Sequence, residues 1–275
     1  MRAYLIFLLV FFAWVVGAYE LWDTVSNFST QWPWYVIATF YTLFLNEIFL
    51  HQVCGHDNIT VDPRRWTYKI LLFFVTVDHG NGPMTSFCLL HQNHHDHADQ
   101  KHDLVNYRTK WYSYAMVAPW IYLMNQSLDI PDKDKYLDQE RKKFNLIIDD
   151  NWTWFCEIYR TPLTLIYWIT LFVIAPIVLF KVVFMGRFLL SIFKFAADVF
   201  GHMKLPFGYR NFNTPDTTHN HLIFHYLTLG LFTGMLHNNH HGLKSFDTCQ
   251  HKWFEFDLSR FFIRHLKQLL QLKHT

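Results

Sequence analysis

Eighteen histidines stand in a chain of 275 residues, and they are spread unevenly. None occurs before His51 and none between 103 and 201; eight fall between 51 and 102 and ten between 202 and 274. Three groups have ligand-like spacing. His51 and His56 form an HxxxxH pair, His91, His94 and His95 an HxxHH box, and His237, His240 and His241 a second HxxHH box. On a helix, positions i, i+3 and i+4 share a face, so each box aims three imidazoles at one region. Adjacent histidines diverge by about 100° on a helix of about 3.6 residues per turn, so neighbours in a box can serve two different metals. Imidazole suits iron, zinc, copper and nickel, and spacing alone does not choose between them. The remaining histidines at 97, 102, 219, 221, 225, 251, 265 and 274 read as ordinary polar or surface residues, and His79, in a glycine turn ahead of the second group, is left open.

The elements that must position these groups follow from composition. Hydrophobic residues make up 51% of the chain and charged residues 17%, below the roughly 25% charged of an ordinary soluble domain. Such a chain can bury enough apolar surface to exclude disorder. Ten glycines exclude a collagen-like repeat, and four cysteines a disulfide scaffold. A net charge of +2 gives no reason to expect nucleic acid as a partner. Cys54, Cys88, Cys156 and Cys249 show no CxxC spacing and read as thiols, Cys54 as packing rather than ligand.

Four apolar stretches predict transmembrane helices over 3–19, 34–50, 162–180 and 183–201, each about 26 to 30 Å of helix against a bilayer core of about 30 Å. The last two come from one apolar block divided near Lys181. The first could instead be a cleaved leader, with Val16-Gly17-Ala18 as a small-residue site, but a second apolar stretch so soon after it suits a membrane hairpin better. The loop from Glu20 to Pro33 has no Lys or Arg, whereas residues 51–160 hold 12 and residues 202–275 hold 8. Positive charge therefore places both long segments in the cytoplasm, and every histidine with them. Lys181 and Arg187 at the outer turn run against that rule, and Lys194 inside the fourth span needs a partner. Residues 69–90 are broken by Asp78-His79-Gly80-Asn81-Gly82-Pro83 and read as two short interfacial helices. Residues 125–151 read as solvated surface. With no internal repeat or linker, the expectation is one domain over 1–275: an all-α integral membrane protein, its four spans in two hairpins beneath a cytoplasmic helical cap that holds a His-rich di-metal site.

These motifs resemble the membrane fatty acid desaturase family, specifically its Δ9-type branch of acyl-CoA and bacterial acyl-lipid desaturases. The likeness runs from about residue 34 through HQVCGH at 51, GNGPMTSFCLLHQNHH at 80, DHADQKHD at 96, GYRNF at 208, HNNHH at 237 and KWFEFDLSRFFIRHL at 252. It implies a ninth histidine ligand, His202, in an Asn-x-x-x-His element at the inner end of the fourth span. Asp198 stands where the family has an asparagine that reaches the metal through water. Gln52 and Gln92 stand where arginine often follows the first histidine of a box, which weakens the case for coenzyme A as the carrier. Thr233-Gly234-Met235-Leu236 replaces the family's glycine-glutamate-glycine-aromatic approach to the third box and leaves its support unexplained.

The resemblance implies a di-iron centre, O₂ as co-substrate, a fatty acyl substrate carried as acyl-CoA, acyl-ACP or acyl-lipid, and an external electron donor, ferredoxin or cytochrome b5. Ligating histidines commonly donate their second ring N–H to a carboxylate. Glu47 lies four residues before His51 and Asp198 four before His202, so each pair shares a helix face. Glu47 reads equally as a marker of the membrane interface. The turn Gly80-Asn81-Gly82-Pro83 lets backbone approach closely and is expected to border the substrate path. The alternatives are a lipid hydroxylase, ketolase or acetylenase of the same superfamily, or, in another class, a His-rich metal transporter.

Overall fold

The computed structural model describes residues 2–56, 61–78, 84–100, 103, 150–243 and 247–271. Helices dominate, and among the described residues strand pairing is limited to isolated bridges, Val61–Gln271, Tyr209–Asn220 and Asn220–Leu236. The turn Gly80 to Pro83, His79, His102, His274 and residues 125–149 lie outside the described residues.

Helix α1 runs from Arg2 to Ser26 and helix α2 from Phe28 to Gly55. The outer loop expected over Glu20 to Pro33 is therefore helical except at Asn27, whose non-helical φ of −113° and ψ of 35° break the chain. Helix α6, Arg160–Ile174, is followed by α7, Pro176–Phe200. The break expected near Lys181 lies instead at Ala175, which leaves the helical region at φ −152° and ψ 61°. The proline decides this: it lacks an N–H, so it suits the first position of α7, and it keeps the preceding residue out of the helical region. Lys181 sits inside α7 and lies 2.8 Å from Glu20 Oε2 and 2.5 Å from Asp23 Oδ2 of α1. That pairing accounts for a cation on the side expected to lack them.

Among the described residues two helices, Phe28–Gly55 and Pro176–Phe200, are long and apolar enough to cross a membrane; α6 is apolar but shorter. Helix α1 packs on α2 and α7. Helices α3 (Trp66–Asp78) and α4 (Met84–His97) flank the expected turn, and α5 (Asn151–Ile158) and α6 pack on α3. Beyond α7 come α8 (Leu222–Leu227), a short turn over Thr233–Met235, α9 (His237–Gly242) and α10 (Ser259–Leu270). The central core joins Ile48, Phe49 and Leu50 of α2 to Tyr68 and Leu72 of α3, Phe87 of α4, Met185 and Leu189 of α7, and Ile263 and Leu266 of α10. It lies directly behind the histidines and fixes the helix ends that bear them.

Candidate metal centre

Nine histidines gather into two sets. His51, His56, His91, His95 and His240 form one, and His94, His202, His237 and His241 the other; in each set one ring nitrogen per residue lies within 4.8 Å of the rest. Each HxxHH box divides between them. The i, i+4 pair His91 and His95 joins the first set and His94 the second, while His237 and His241 join the second and His240 the first. The divergence of adjacent positions on a helix makes this split inevitable once both helices face the same point.

Winding supplies the remaining placements. In an α-helix residues i and i+5 point about 140° apart. The C-terminal part of α2, Phe44–Gly55, is wound as a π-helix, whose i→i+5 ladder brings such positions toward one face. His51 Nε2 and His56 Nε2 accordingly lie 3.3 Å apart. Helix α7 also ends in π winding, Ala196–Phe200, with the Gly201 N–H reaching both Ala196 O and Ala197 O. Gly201 is the close-approach point: a Cβ there would stand 2.0 Å from Ala197 O and 2.9 Å from His237 Cγ.

The nitrogens are arranged to accept a cation. In the first set His51 Nε2 is 2.8 Å from His91 Nε2, His91 Nε2 is 3.0 Å from His56 Nε2, and His95 Nε2 is 3.1 Å from His91 Nε2 and 2.9 Å from His240 Nε2. Nitrogens bound at right angles about 2.1 Å from a metal are about 3.0 Å apart. In the second set His237 Nε2 lies 2.9 Å from His202 Nε2. His237 Nδ1 donates to Gly234 O at 3.0 Å and His241 Nδ1 to Asp216 Oδ2 at 3.0 Å, leaving a lone pair on each Nε2. Among the described residues the buried His241 Nε2 has no hydrogen-bond partner. Converging lone pairs repel unless a cation lies between them, so the donor set fits two metal ions. Burial first, then repulsion among the imidazoles, holds His91, His95, His237 and His240 well below the ordinary histidine range. Burial is also the main cause that brings His241 down to about 4. Neutral imidazole is the form that ligates.

Carboxylates orient the rings from outside. Glu47 Oε2 accepts from His51 Nδ1 at 2.8 Å, while its Oε1 accepts from the Thr233 hydroxyl and from the Gly234 N–H at 3.2 Å. The approach to the third box, which lacks the family's glutamate, is thus held by a carboxylate from α2. Gln52 Nε2 adds a bond to Thr233 Oγ1 at 2.6 Å. Gln92, by contrast, donates to Asp96 on the surface at 3.0 Å. His94 Nδ1 lies 3.1 Å from Asp103 Oδ2, and His202 Nδ1 lies 3.1 Å from Asp99 Oδ1. Asp99, in the left-handed region at φ 64°, also accepts from Thr217 N–H and its hydroxyl, both at 2.7 Å. Asp99 thus supplies a carboxylate to His202. Asp198 lines a cavity of about 40 Å³ with Glu47, Lys194, Phe87, Ala197, Phe232 and five of the nine histidines.

Asp99, Asp103 and Asp216 escaped the sequence reading as ring partners. Asp99 and Asp103 belong to the acidic run after the second box, which was a usable signal, whereas Asp216 reaches His241 across 25 residues and leaves none. A second network holds the third box. Asn238 Oδ1 accepts from the Asn211 and Phe212 N–H groups, Asn239 Nδ2 donates to Glu255 Oε2 at 3.0 Å, and Glu255 Oε1 accepts from Tyr209 and Asn211 at 2.6 Å each. The GYRNF and KWFEF motifs meet there. The described histidines outside the two sets are mostly bonded to backbone carbonyls, His219 to Thr217 O, His221 to Phe200 O, His225 to Phe256 O and His265 to Phe261 O. Cys54 is buried and free, outside both sets.

An all-helical scaffold with two buried histidine sets able to hold metal ions defines the class of protein. The sequence profile of the fatty acid desaturase family matches residues 26–244, and the chain belongs to that family. No curated protein matches the chain significantly. Family membership implies an oxidoreductase acting on a fatty acyl substrate.

Proposed function

We propose that the protein is an O₂-dependent desaturase of the Δ9-type branch that introduces a double bond into a fatty acyl chain at a di-iron centre. The observation that carries this reading is the division of nine histidines into neighbouring sets of five and four nitrogens. Five nitrogens exceed the four ligands of a structural zinc site. Iron ions bound by the two sets would supply the oxidising chemistry that no side chain can supply for unactivated methylenes. The balance is one O₂, two electrons from an external donor, ferredoxin or cytochrome b5, two protons from solvent and two hydrogens from the chain, giving one double bond and two waters.

The chain's own residues bind, orient and exclude. His51, His56, His91, His95 and His240 hold one ion and His94, His202, His237 and His241 the other. Glu47, Asp99, Asp103 and Asp216 hold Nδ1 protons, keeping each Nε2 free to ligate. Asp198 faces the cavity beside both sets and takes the water-mediated role of the family's asparagine. Phe87 and Phe232 give that cavity an apolar wall. The four-span topology, with one domain over 1–275 and the histidines on the cytoplasmic side, brings the centre to the membrane surface from which an acyl chain enters.

Expression in a host lacking its own desaturase, followed by gas chromatography of total lipids, tests the reading. A new double bond that requires O₂ and is lost in His202→Ala is expected. Hydroxyl, keto or triple-bond products would assign the hydroxylase, ketolase or acetylenase alternative. Metal flux into vesicles without any lipid product would assign transport.

A further inference from the structure

The cavity beside the histidines carries a cation that oxidation of an unbroken methylene chain does not call for. Lys194 lies on the inner half of α7 and lines the cavity with Glu47 and Asp198. Its Nζ stands 4.9 Å over the Phe87 ring, and Phe87 stacks on His91 with centroids 5.5 Å apart and planes within 6°. The ammonium is therefore one ring removed from the five-nitrogen set. Metal ions in the two sets would repel it, so its position costs energy unless something offsets that cost. A charged side chain within a span is retained where it has a partner or a task.

Of the two carboxylates beside it, Glu47 is already occupied by His51, Thr233 and Gly234. Asp198 balances the charge. Charge balance alone, however, is met more simply by an uncharged residue at each position. A methylene chain drawn past Lys194 would strip water from the ammonium without replacing it. An oxygen on the chain would replace that water with a charge-assisted hydrogen bond. At about 40 Å³ the cavity has room for about three water-sized groups, enough for an oxygen and the carbon that bears it.

We propose that Lys194 is a specificity-determining residue whose ammonium takes a hydrogen-bond-accepting oxygen of the lipid beside the carbons that are oxidised, so that the preferred substrate is an oxygen-substituted acyl chain bearing a hydroxyl or carbonyl near the reacting bond. The inference rests on the lipid-oxidising reading of the centre and narrows its substrate class.

The test separates binding from turnover. Ligand-induced thermal stabilisation of the purified, iron-loaded protein in detergent is measured with methyl octadecanoate and with a series of its monohydroxylated isomers. The wild type is expected to bind at least one hydroxylated isomer about tenfold or more tightly than the plain ester, the ratio of one hydrogen bond to a charged group. Lys194→Arg is expected to keep that preference, and Lys194→Met and Lys194→Gln to reduce it to about twofold or less. Equal binding of plain and hydroxylated chains by the wild type, or an undiminished preference in either neutral variant, would overturn the assignment. Product analysis in the expression host is the companion measurement. Oxidised lipid without a binding preference sinks the Lys194 assignment alone, whereas no oxidised lipid sinks the functional reading beneath it.

Discussion

Glu47 Oε2 lies 2.8 Å from His51 Nδ1, and the other oxygen of the same carboxylate takes the Thr233 hydroxyl and the Gly234 N–H. One buried side chain of α2 therefore orients a candidate ligand of the first box and anchors the backbone that leads into the third. The pair is i, i+4, so part of the relation was legible in the sequence; the bond to Thr233, 186 residues away, was not.

Glu47→Ala should accordingly disturb both sets. Loss of a carboxylate that fixes a ligand ring costs about 10- to 100-fold in metal affinity. Iron titration of the purified variant is expected to show weakened binding of both ions. Glu47→Gln, which still accepts hydrogen bonds through its carbonyl, is expected to fall between wild type and alanine. Unchanged affinity in the alanine variant would remove Glu47 from the site.

Glu255 makes a pH-dependent contribution away from the histidines. Burial alone would raise its carboxyl, but hydrogen bonds from Tyr209, the Lys252 and His251 N–H groups and Asn211 outweigh that and hold it below the ordinary glutamate range. A folded-state pKa below the unfolded value of about 4.3 adds stability that is present above that pH and is lost as the pH falls below it and through the folded-state value. The melting temperature of the detergent-purified protein is expected to drop below about pH 4.3, and to drop less steeply in Glu255→Gln. Glu255→Ala strands several buried donors and is expected to destabilise at neutral pH by about 2 to 4 kcal/mol.

Sidedness can be read with introduced thiols, because the four native cysteines are buried. Asn27 marks the break between α1 and α2, and Trp253, 90% exposed, follows the third box. In intact cells a membrane-impermeant maleimide should label Asn27→Cys at once and Trp253→Cys only after permeabilisation. The reverse pattern would invert the topology.

The all-helical class, the three boxes and the sharing of each HxxHH between two sets are legible because helical periodicity is local. What escaped depended largely on distance. Asp99 reaches His202 from a segment remote in the chain, while Asp198, four residues before His202, lines the cavity. The break lies at Ala175 rather than near Lys181 because Pro176 is the stronger signal and Lys181 is held by Glu20 and Asp23. The Asp216–His241 and Glu255–Asn239 contacts join segments that the chain brings together only on folding, and no local pattern announces them.

The central claim is that the nine histidines hold two iron ions, one in each set. Iron per chain, measured by elemental analysis of the purified protein alongside His95→Ala and His237→Ala, tests it most directly. Close to two irons are expected in the wild type and close to one in each variant, with the five-nitrogen ion lost in His95→Ala and the four-nitrogen ion in His237→Ala. A wild type that binds at most one metal ion, or variants that keep both, would contradict it.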